Sequence, residues 1–121
     1  MTDKQLEKNI EHEILCFLNT NNIFAWKNPT TGYYNSKLKR YVKQKSIFAI
    51  NGVSDILGTL PDGISLSIEV KTPKRKNEVS PEQEQYIENQ LNQKAVAFVA
   101  WSIDEVVAKF KTFGYSFDCI L

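Results

Sequence analysis

Two carboxylates and one ammonium group in the middle of the chain have the types and spacing needed to act together. Asp55 precedes a turn-forming segment, and Glu69 and Lys71 follow it in a run where apolar and polar residues alternate. Carboxylates are the hard oxygen ligands that Mg²⁺ prefers. A lysine beside a bound cation can hold a water molecule or neutralise charge that builds up on a phosphate. These residue types are therefore suited to metal-assisted hydrolysis of a phosphodiester.

The segment 60–64 predicts the hairpin that would bring these groups together. Its central Pro-Asp-Gly sequence is typical of a type I turn closed by a glycine in the left-handed region. Residues 64–71 then alternate as in a strand with one apolar face. If the two ends of segment 60–64 pair, Asp55 lies opposite Glu69, with Cβ atoms about 4.5–5.5 Å apart. Facing carboxylates repel each other, and a divalent cation would remove that repulsion. The alternative is a surface ion pair of Lys71 with its acidic neighbours, which has little consequence.

The remaining elements predict an α/β protein. An amphipathic pattern predicts a helix from about Asp3 to Asn19, and residues 23–26 favour a short strand. Ser80-Pro81-Glu82-Gln83 is typical of a helix that begins with a capping box, in which the N-cap and N3 side chains each bind the other residue's backbone N–H. The apolar run 95–101 indicates a buried strand. Ser102-Ile103-Asp104-Glu105 predicts a second capping box and a final helix.

The segment between the first strand and the turn is harder to assign from its sequence. Residues 28–45 are polar, basic and rich in tyrosine, which predicts a long loop or a loose hairpin. Residues 47–50 suggest another short apolar strand. With 121 residues in all, the chain has room for one domain, which we predict to span residues 1–121.

The composition limits the classes of function. A formal net charge of +1 does not by itself argue for a nucleic-acid partner, although lysines and arginines are segregated from the acids. The chain has 2 cysteines, which makes a disulfide framework improbable. It contains no apolar run that resembles a signal peptide or a membrane span. We therefore expect a cytoplasmic protein that does not bind membranes.

Three segments in a fixed order resemble a known family. They are GVSDILG at 52–58, IEVKTP at 68–73 and SPEQ at 80–83. Together they resemble the VRR-NUC family of the PD-(D/E)XK nuclease superfamily, which includes small stand-alone phage proteins. Asp55 matches the motif aspartate, although serine precedes it where the family has proline. The resemblance implies a restriction-endonuclease-like α/β fold, with a central mixed β-sheet flanked by helices.

The resemblance also implies roles for individual residues. Asp55 and Glu69 would bind Mg²⁺ or Mn²⁺ together with the main-chain carbonyl of Val70, and Lys71 would activate the attacking water. The family places an acid on the first helix. Alignment on the segment 14–15 selects Glu7, whereas similarity to archaeal-type junction resolvases selects Glu11, and we favour Glu7. Gln83 matches the family's glutamine, but the capping box alone would also explain it.

The activity implied by the resemblance is cleavage of DNA, with branched DNA such as Holliday junctions as substrate and a homodimer as the acting form. If the gene is a phage gene, the compartment would be the host cytoplasm. The basic clusters would contact DNA phosphates, although they could also be solvated surface. Their members are Lys37, Lys39, Arg40, Lys43 and Lys45, followed by Lys74 and Arg75.

Two other classes of function remain open at this point. The first is a nucleic-acid-binding module with the same fold that does not cut. The second is a protein-interaction domain, which would expose an apolar patch at Trp26 or Trp101.

Overall fold

The computed structural model describes residues 1–29, 33–42 and 50–117, and only the backbone of 33–35 and 41–42. Three α-helices, six β-strands and one short 3₁₀ helix lie in these ranges. The helices are α1 (Asp3–Thr20), α2 (Pro81–Asn92) and α3 (Ile103–Thr112), and the 3₁₀ helix spans Pro73–Arg75. The strands are β1 (Phe24–Lys27), β2 (Tyr33–Asn35), β3 (Arg40–Val42), β4 (Ile56–Thr59), β5 (Ser65–Val70) and β6 (Val96–Ala100).

The main sheet contains four strands in the order β1-β4-β5-β6. The β1–β4 and β4–β5 pairs are antiparallel, and β5 and β6 are parallel. A parallel pair needs a crossover connection, which α2 supplies between β5 and β6. The predicted fold class, a mixed β-sheet flanked by helices, is therefore confirmed.

The hydrophobic core lies on one face of this sheet, where α1 and α3 pack against it and against each other. Each strand contributes alternate residues, as expected for a pleated sheet. Phe98 of β6 and Phe110 of α3 meet edge to face, with ring centroids 5.6 Å apart. The core residues are Ile10, Ile14, Phe17, Leu18, Ile23, Ala25, Ile56, Leu60, Leu66, Ile68, Val70, Val96, Phe98, Ala100, Val106 and Phe110.

The opposite face is covered over β5 and β6 by α2. The Tyr86 hydroxyl of α2 lies 3.0 Å from the Ser67 hydroxyl of β5, which anchors the helix on this face. Gly52 lets the segment before β4 approach the first turn of α2. Its φ is +80°, and a Cβ there would lie 2.4 Å from the carbonyl carbon of Glu82. Only glycine fits such a position without displacing backbone.

Each of the three helices begins directly after a capping residue. Thr2 caps α1, and both halves of the capping box are present at the start of α2. The second predicted capping box is half formed. Ser102 accepts from the N–H of Glu105, but the Glu105 carboxylate instead pairs with Lys109 at 3.8 Å.

The basic segment forms a hairpin in the part that is described. β2 and β3 pair antiparallel through residues 33–35 and 40–42, which confirms the loose hairpin. Of the predicted strand at 47–50, residues 47–49 lie outside the described ranges, and Ile50 belongs to no strand. Within the described ranges no helix combines the length and the apolar character that crossing a membrane requires.

Candidate metal centre

The β4–β5 hairpin has the register that the turn predicts. Ile56 pairs with Ile68 and Thr59 pairs with Ser65, so the next position outward places Asp55 opposite Glu69. The turn closes through the Gly63 N–H and the Leu60 carbonyl at 2.8 Å, and Gly63 has a φ of +90°. The two carboxylates therefore project from the face opposite the core, where the sequence analysis places them.

The regular backbone pairing of β4 with β5 ends at Asp55, because the Asp55 side chain accepts a hydrogen bond that a backbone carbonyl would otherwise accept. Its carboxylate oxygen Oδ2 accepts from the Val70 N–H at 2.9 Å. Continuation of the ladder would have given this N–H the carbonyl of Ser54. In an antiparallel pair the N–H and C=O of one residue point the same way. The Val70 carbonyl is therefore directed toward the Asp55 side of β5.

Glu69 is buried, with 3% of its surface exposed. Its Oε2 accepts from the Gln83 amide at 3.1 Å and lies 3.8 Å from the Lys71 ammonium. Its other oxygen, Oε1, is buried and has no hydrogen-bond partner among the described residues. A buried carboxylate oxygen without a donor is costly, by about 1–3 kcal/mol or more. A cation at this oxygen would remove that cost.

The electrostatics of the pair favour a bound positive charge. Burial and the neighbouring Asp55 carboxylate raise the pKa of Glu69 from 4.5 to about 9. The Lys71 ammonium lowers this pKa, but it does not outweigh burial. Without a cation, burial and the charge of Asp55 therefore favour a proton on Glu69. A divalent cation would displace that proton and stabilise both carboxylates.

The donor set fits a hard cation with few protein ligands. No three His, Cys, Asp or Glu side chains in the described ranges lie close enough together to hold a metal ion. The available ligands are thus the carboxylates of Asp55 and Glu69 and the carbonyl of Val70. Mg²⁺ commonly keeps several waters and binds through one or two carboxylates, so this set suits Mg²⁺ and leaves positions for water.

The two candidate acids of α1 have different surroundings. Glu11 is buried, and its carboxylate pairs with Lys27 of β1 at 3.2 Å. Glu7 lies one turn earlier, and burial and the charge of Asp55 raise its pKa, while Lys71 and Arg75 lower it. The charge of Glu7 also raises the pKa of Glu69. Glu7 is therefore coupled by charge to the carboxylate pair, whereas Glu11 forms an ion pair with Lys27.

Gln83 both completes the capping box of α2 and contacts the carboxylate pair. Its side-chain oxygen accepts from the Ser80 N–H at 3.0 Å, which completes the capping box. Its side-chain nitrogen donates to Glu69. One amide thus ties the beginning of α2 to the carboxylate.

The basic residues lie in two places. Lys37, Lys39 and Arg40 are exposed at the closed end of the β2–β3 hairpin. Lys74 and Arg75 follow Lys71 in the 3₁₀ helix. Arg75 pairs with Asp3 at 3.8 Å and with Glu78 at 3.2 Å, so acids already offset its charge.

Two predicted DNA contacts, Lys43 and Lys45, lie outside the described residues.

The sheet also brings residues to this face that the sequence analysis did not assign to the site. The N–H of Asn28 donates to the Asp55 carbonyl at 2.8 Å, so Asn28 continues the β1–β4 pairing opposite Asp55. Phe24 and Trp26 precede it on the same face of β1. Their alternation with Ala25 was visible in the sequence, but nothing there indicates that β1 pairs with β4.

Comparisons with known proteins identify the fold. No family model matches the chain, and no curated protein matches it. A solved structure described as a VRR_NUC domain protein matches with a TM-score of 0.55 and 18% sequence identity. The match covers 98% of this chain and 93% of that one. The two chains thus share an overall architecture, including the arrangement of sheet and helices described above.

Proposed function

We propose that this chain is a metal-dependent DNA endonuclease of the VRR-NUC type, which uses Mg²⁺ or Mn²⁺ to hydrolyse phosphodiester bonds. One observation carries the proposal. Asp55 and Glu69 meet across one hairpin beside the Lys71 ammonium, and a buried oxygen of Glu69 has no hydrogen-bond partner in the part of the chain that the structure describes. The shared architecture with a VRR_NUC domain protein supports the same assignment.

Asp55, Glu69 and the Val70 carbonyl would hold the cation. When bound, a divalent cation acts as a Lewis acid on the phosphate and makes a bound water easier to deprotonate. Asp55 is held in place by the Val70 N–H, and Glu69 is held by the Gln83 amide. Such supporting bonds fix the orientation of the ligands, and their loss typically lowers metal affinity or activity by about 10–100-fold.

Lys71 supplies the positive charge of the site itself. Its ammonium lies 3.8 Å from Glu69 Oε2, and its side chain is 16% exposed, so water and substrate can still reach it. From this position it can donate a hydrogen bond to the attacking water or to a phosphate oxygen on which charge develops. Glu7, whose pKa is raised by burial and by Asp55, would orient water from the α1 side.

DNA would bind through segregated charge, since the net charge of the chain is only +1. Lys37, Lys39 and Arg40 extend on the hairpin, and Lys74 and Arg75 follow the site. Lys43 and Lys45 belong to the same proposal by sequence. Phosphate contacts of this kind give affinity that falls with salt and does not depend on sequence.

The substrate class and the assembly belong to the same proposal. The resemblance in sequence supports branched DNA, such as Holliday junctions, as substrate and a phage-type stand-alone nuclease acting in the cytoplasm. Cutting a four-way junction symmetrically needs two equivalent sites, which a homodimer with two-fold symmetry supplies.

The test is cleavage of labelled linear, flap and four-way junction DNA with Mg²⁺ or Mn²⁺. We expect nicking of branched DNA that EDTA abolishes. Asp55→Asn and Lys71→Ala should each reduce the rate by roughly 10²–10³-fold or more, as expected when a group that stabilises transition-state charge is removed.

The matched controls are Glu88→Gln and Lys111→Ala, which change the same groups at exposed positions on α2 and α3. They should cut at the wild-type rate, and circular dichroism should show all four variants folded. Cleavage that survives Asp55→Asn and Lys71→Ala would refute this site. Metal-dependent DNA binding without any cleavage would favour the non-cleaving module.

A further inference from the structure

An aromatic pair lies on the edge strand of the sheet, on the face that carries the proposed metal centre. Phe24 and Trp26 of β1 stand opposite Thr59 and Leu57 of β4. Two residues before Leu57 in the chain, Asp55 lies opposite Asn28, which follows Trp26 by two residues. Residues directly opposite in paired strands project to the same face. The two rings therefore belong to the same face as the carboxylates.

The pair is open to solvent. Phe24 is 71% exposed and Trp26 is 42% exposed. Their ring centroids are 5.1 Å apart with an interplanar angle of 50°. The residues on the other face of β1 have partners within the fold, since Ala25 packs in the core and Lys27 pairs with Glu11. Two neighbouring exposed aromatic side chains, by contrast, indicate an interaction surface.

The neighbouring surface leaves room for a ligand. On this face α2 covers β5 and β6, where Tyr86 and Gln83 contact Ser67 and Glu69. Thr59 on β4 is exposed, as are the two rings on β1. Trp26 is displaced from Asp55 by one strand spacing of about 4.8 Å and by two residues, about 7 Å, along the strand. A nucleotide next to a phosphate at the metal centre can span this separation.

The aromatic patch of Phe24 and Trp26 is too small for a protein partner and has the size and chemistry to bind a single nucleobase. A stable protein interface needs about 20–30 residues a side, whereas this patch consists of two rings, followed on the same face by Asn28. An unpaired nucleobase has the matching size and a free π-face. A base inside a continuous duplex has both faces covered by its neighbours, so it cannot stack on these rings.

We propose that Phe24 and Trp26 form a stacking site for an unpaired nucleobase next to the cleaved phosphate. This inference rests on the proposed nuclease function and gives its substrate class a physical basis. DNA with unpaired or splayed nucleotides, as in flaps and junctions, binds through stacking that continuous duplex DNA cannot provide. Stacking of this kind tolerates any base, so the site selects DNA structure and not sequence.

Binding measured without cleavage tests the stacking site separately from catalysis. Wild-type protein, Trp26→Ala and Phe24→Ala are titrated in EDTA with a single-stranded oligothymidylate and with a blunt duplex of equal length. We expect each variant to lose roughly 5- to 150-fold in affinity for the single strand. Duplex affinity should stay near that of the wild type. Trp26→Phe, which keeps a ring, should restore most of the loss.

Leu91→Ala is the matched control, because it truncates an exposed apolar side chain on α2. It should bind both DNAs as the wild type does. Equal losses for single strand and duplex would overturn the stacking site. A change in oligomeric state on light scattering, with unchanged preference for single strands, would overturn it too and assign the pair to contact between copies of the chain.

A spectroscopic measurement covers the case in which Trp26→Ala does not fold. The chain has 2 tryptophans, so Trp101→Phe leaves Trp26 as the only one. Oligothymidylate should quench its fluorescence and duplex should not, and equal responses would contradict the proposal. If stacking is found in a protein that cuts no DNA, the proposed catalysis fails while the stacking site stands.

Discussion

Both faces of the β4–β5 hairpin contain buried side chains, but the two faces differ in their energetics. On the core face Ile56, Leu66 and Ile68 are 0–1% exposed and belong to the hydrophobic core. On the opposite face Ser67 and Glu69 are 2% and 3% exposed. There the pKa of Glu69 is raised to about 9 by burial and by Asp55. Burial of the first face stabilises the fold, and burial of the second opposes it unless a cation is bound.

This difference shows where the protein can tolerate an unfavourable arrangement. The residues of both faces alternate along one strand, so the core face fixes the strand and the opposite face must follow. Burial of the Glu69 carboxylate is unfavourable, but the apolar residues on the other face of the same strand hold it in place. The proposed metal ligands are therefore already in position before a cation binds.

The largest change in stability is expected on the core face. Ile68→Ala should lower the free energy of unfolding by roughly 2–5 kcal/mol, because it removes buried methyl groups and leaves a cavity. Urea unfolding followed by circular dichroism measures the change. Leu57→Ala, at a half-buried position of the opposite face, is the control and should cost less. Equal losses would mean that the two faces do not differ as described.

The carboxylate face should respond in the opposite direction. In EDTA at pH 7, Glu69→Gln should raise the free energy of unfolding by roughly 1–3 kcal/mol, because a neutral amide replaces a carboxyl group whose ionisation is unfavourable there. The variant should also lose cleavage. Thermal unfolding in EDTA measures the gain in stability, and thermal unfolding with Mg²⁺ measures the loss of stabilisation by the metal. Glu88→Gln is the control. A less stable variant in EDTA would contradict the electrostatic description.

The pH dependence of stability follows from the same group. The folded pKa of Glu69 is about 9 against an ordinary value of 4.5, so the folded protein binds more protons than the unfolded chain between these values. Its contribution to stability is fully present below pH 4.5 and is lost as pH rises toward about 9. Glu69→Gln should make the free energy of unfolding less dependent on pH between these two pKa values. Mg²⁺ should have the same effect on the wild-type protein.

The smallest effects are expected at the beginning of α2 and separate the two roles of Gln83. Ser80→Ala removes the cap, so it should lower stability by about 0.5–2 kcal/mol and change cleavage little. Gln83→Glu keeps an oxygen for the Ser80 N–H but cannot donate to Glu69. It should therefore lower activity by about 10–100-fold with less effect on stability. Wild-type cleavage by Gln83→Glu would show that Gln83 only caps the helix.

Local sequence carried enough information to predict the hairpin. The Pro-Asp-Gly turn set the loop length, and the alternation of residues 64–71 fixed which side chains share a face. The register followed, because a shift by one residue would have moved every apolar side chain out of the core. Caps at Ser80 and Ser102 were predictable for the same reason, since the bonds that define them span only three residues.

Groups that depend on contacts between distant elements could not be predicted in this way. Glu7 and Glu11 share a helical face, and only the packing of α1 shows that Lys27 pairs with Glu11 while Glu7 interacts with Asp55. The sequence likewise left Gln83 with two alternative roles, and the fold gives it both.

The sequence by itself determined the carboxylate pair, because a tight turn and a two-residue period need only neighbours along the chain. Tertiary structure alone decided which helix acid is coupled by charge to that pair, how deeply Glu69 is buried and that an edge strand brings Phe24 and Trp26 to the same face. Each of these depends on strands and helices far apart in sequence, whose pairing is set by the packing of the whole core and not by any local pattern.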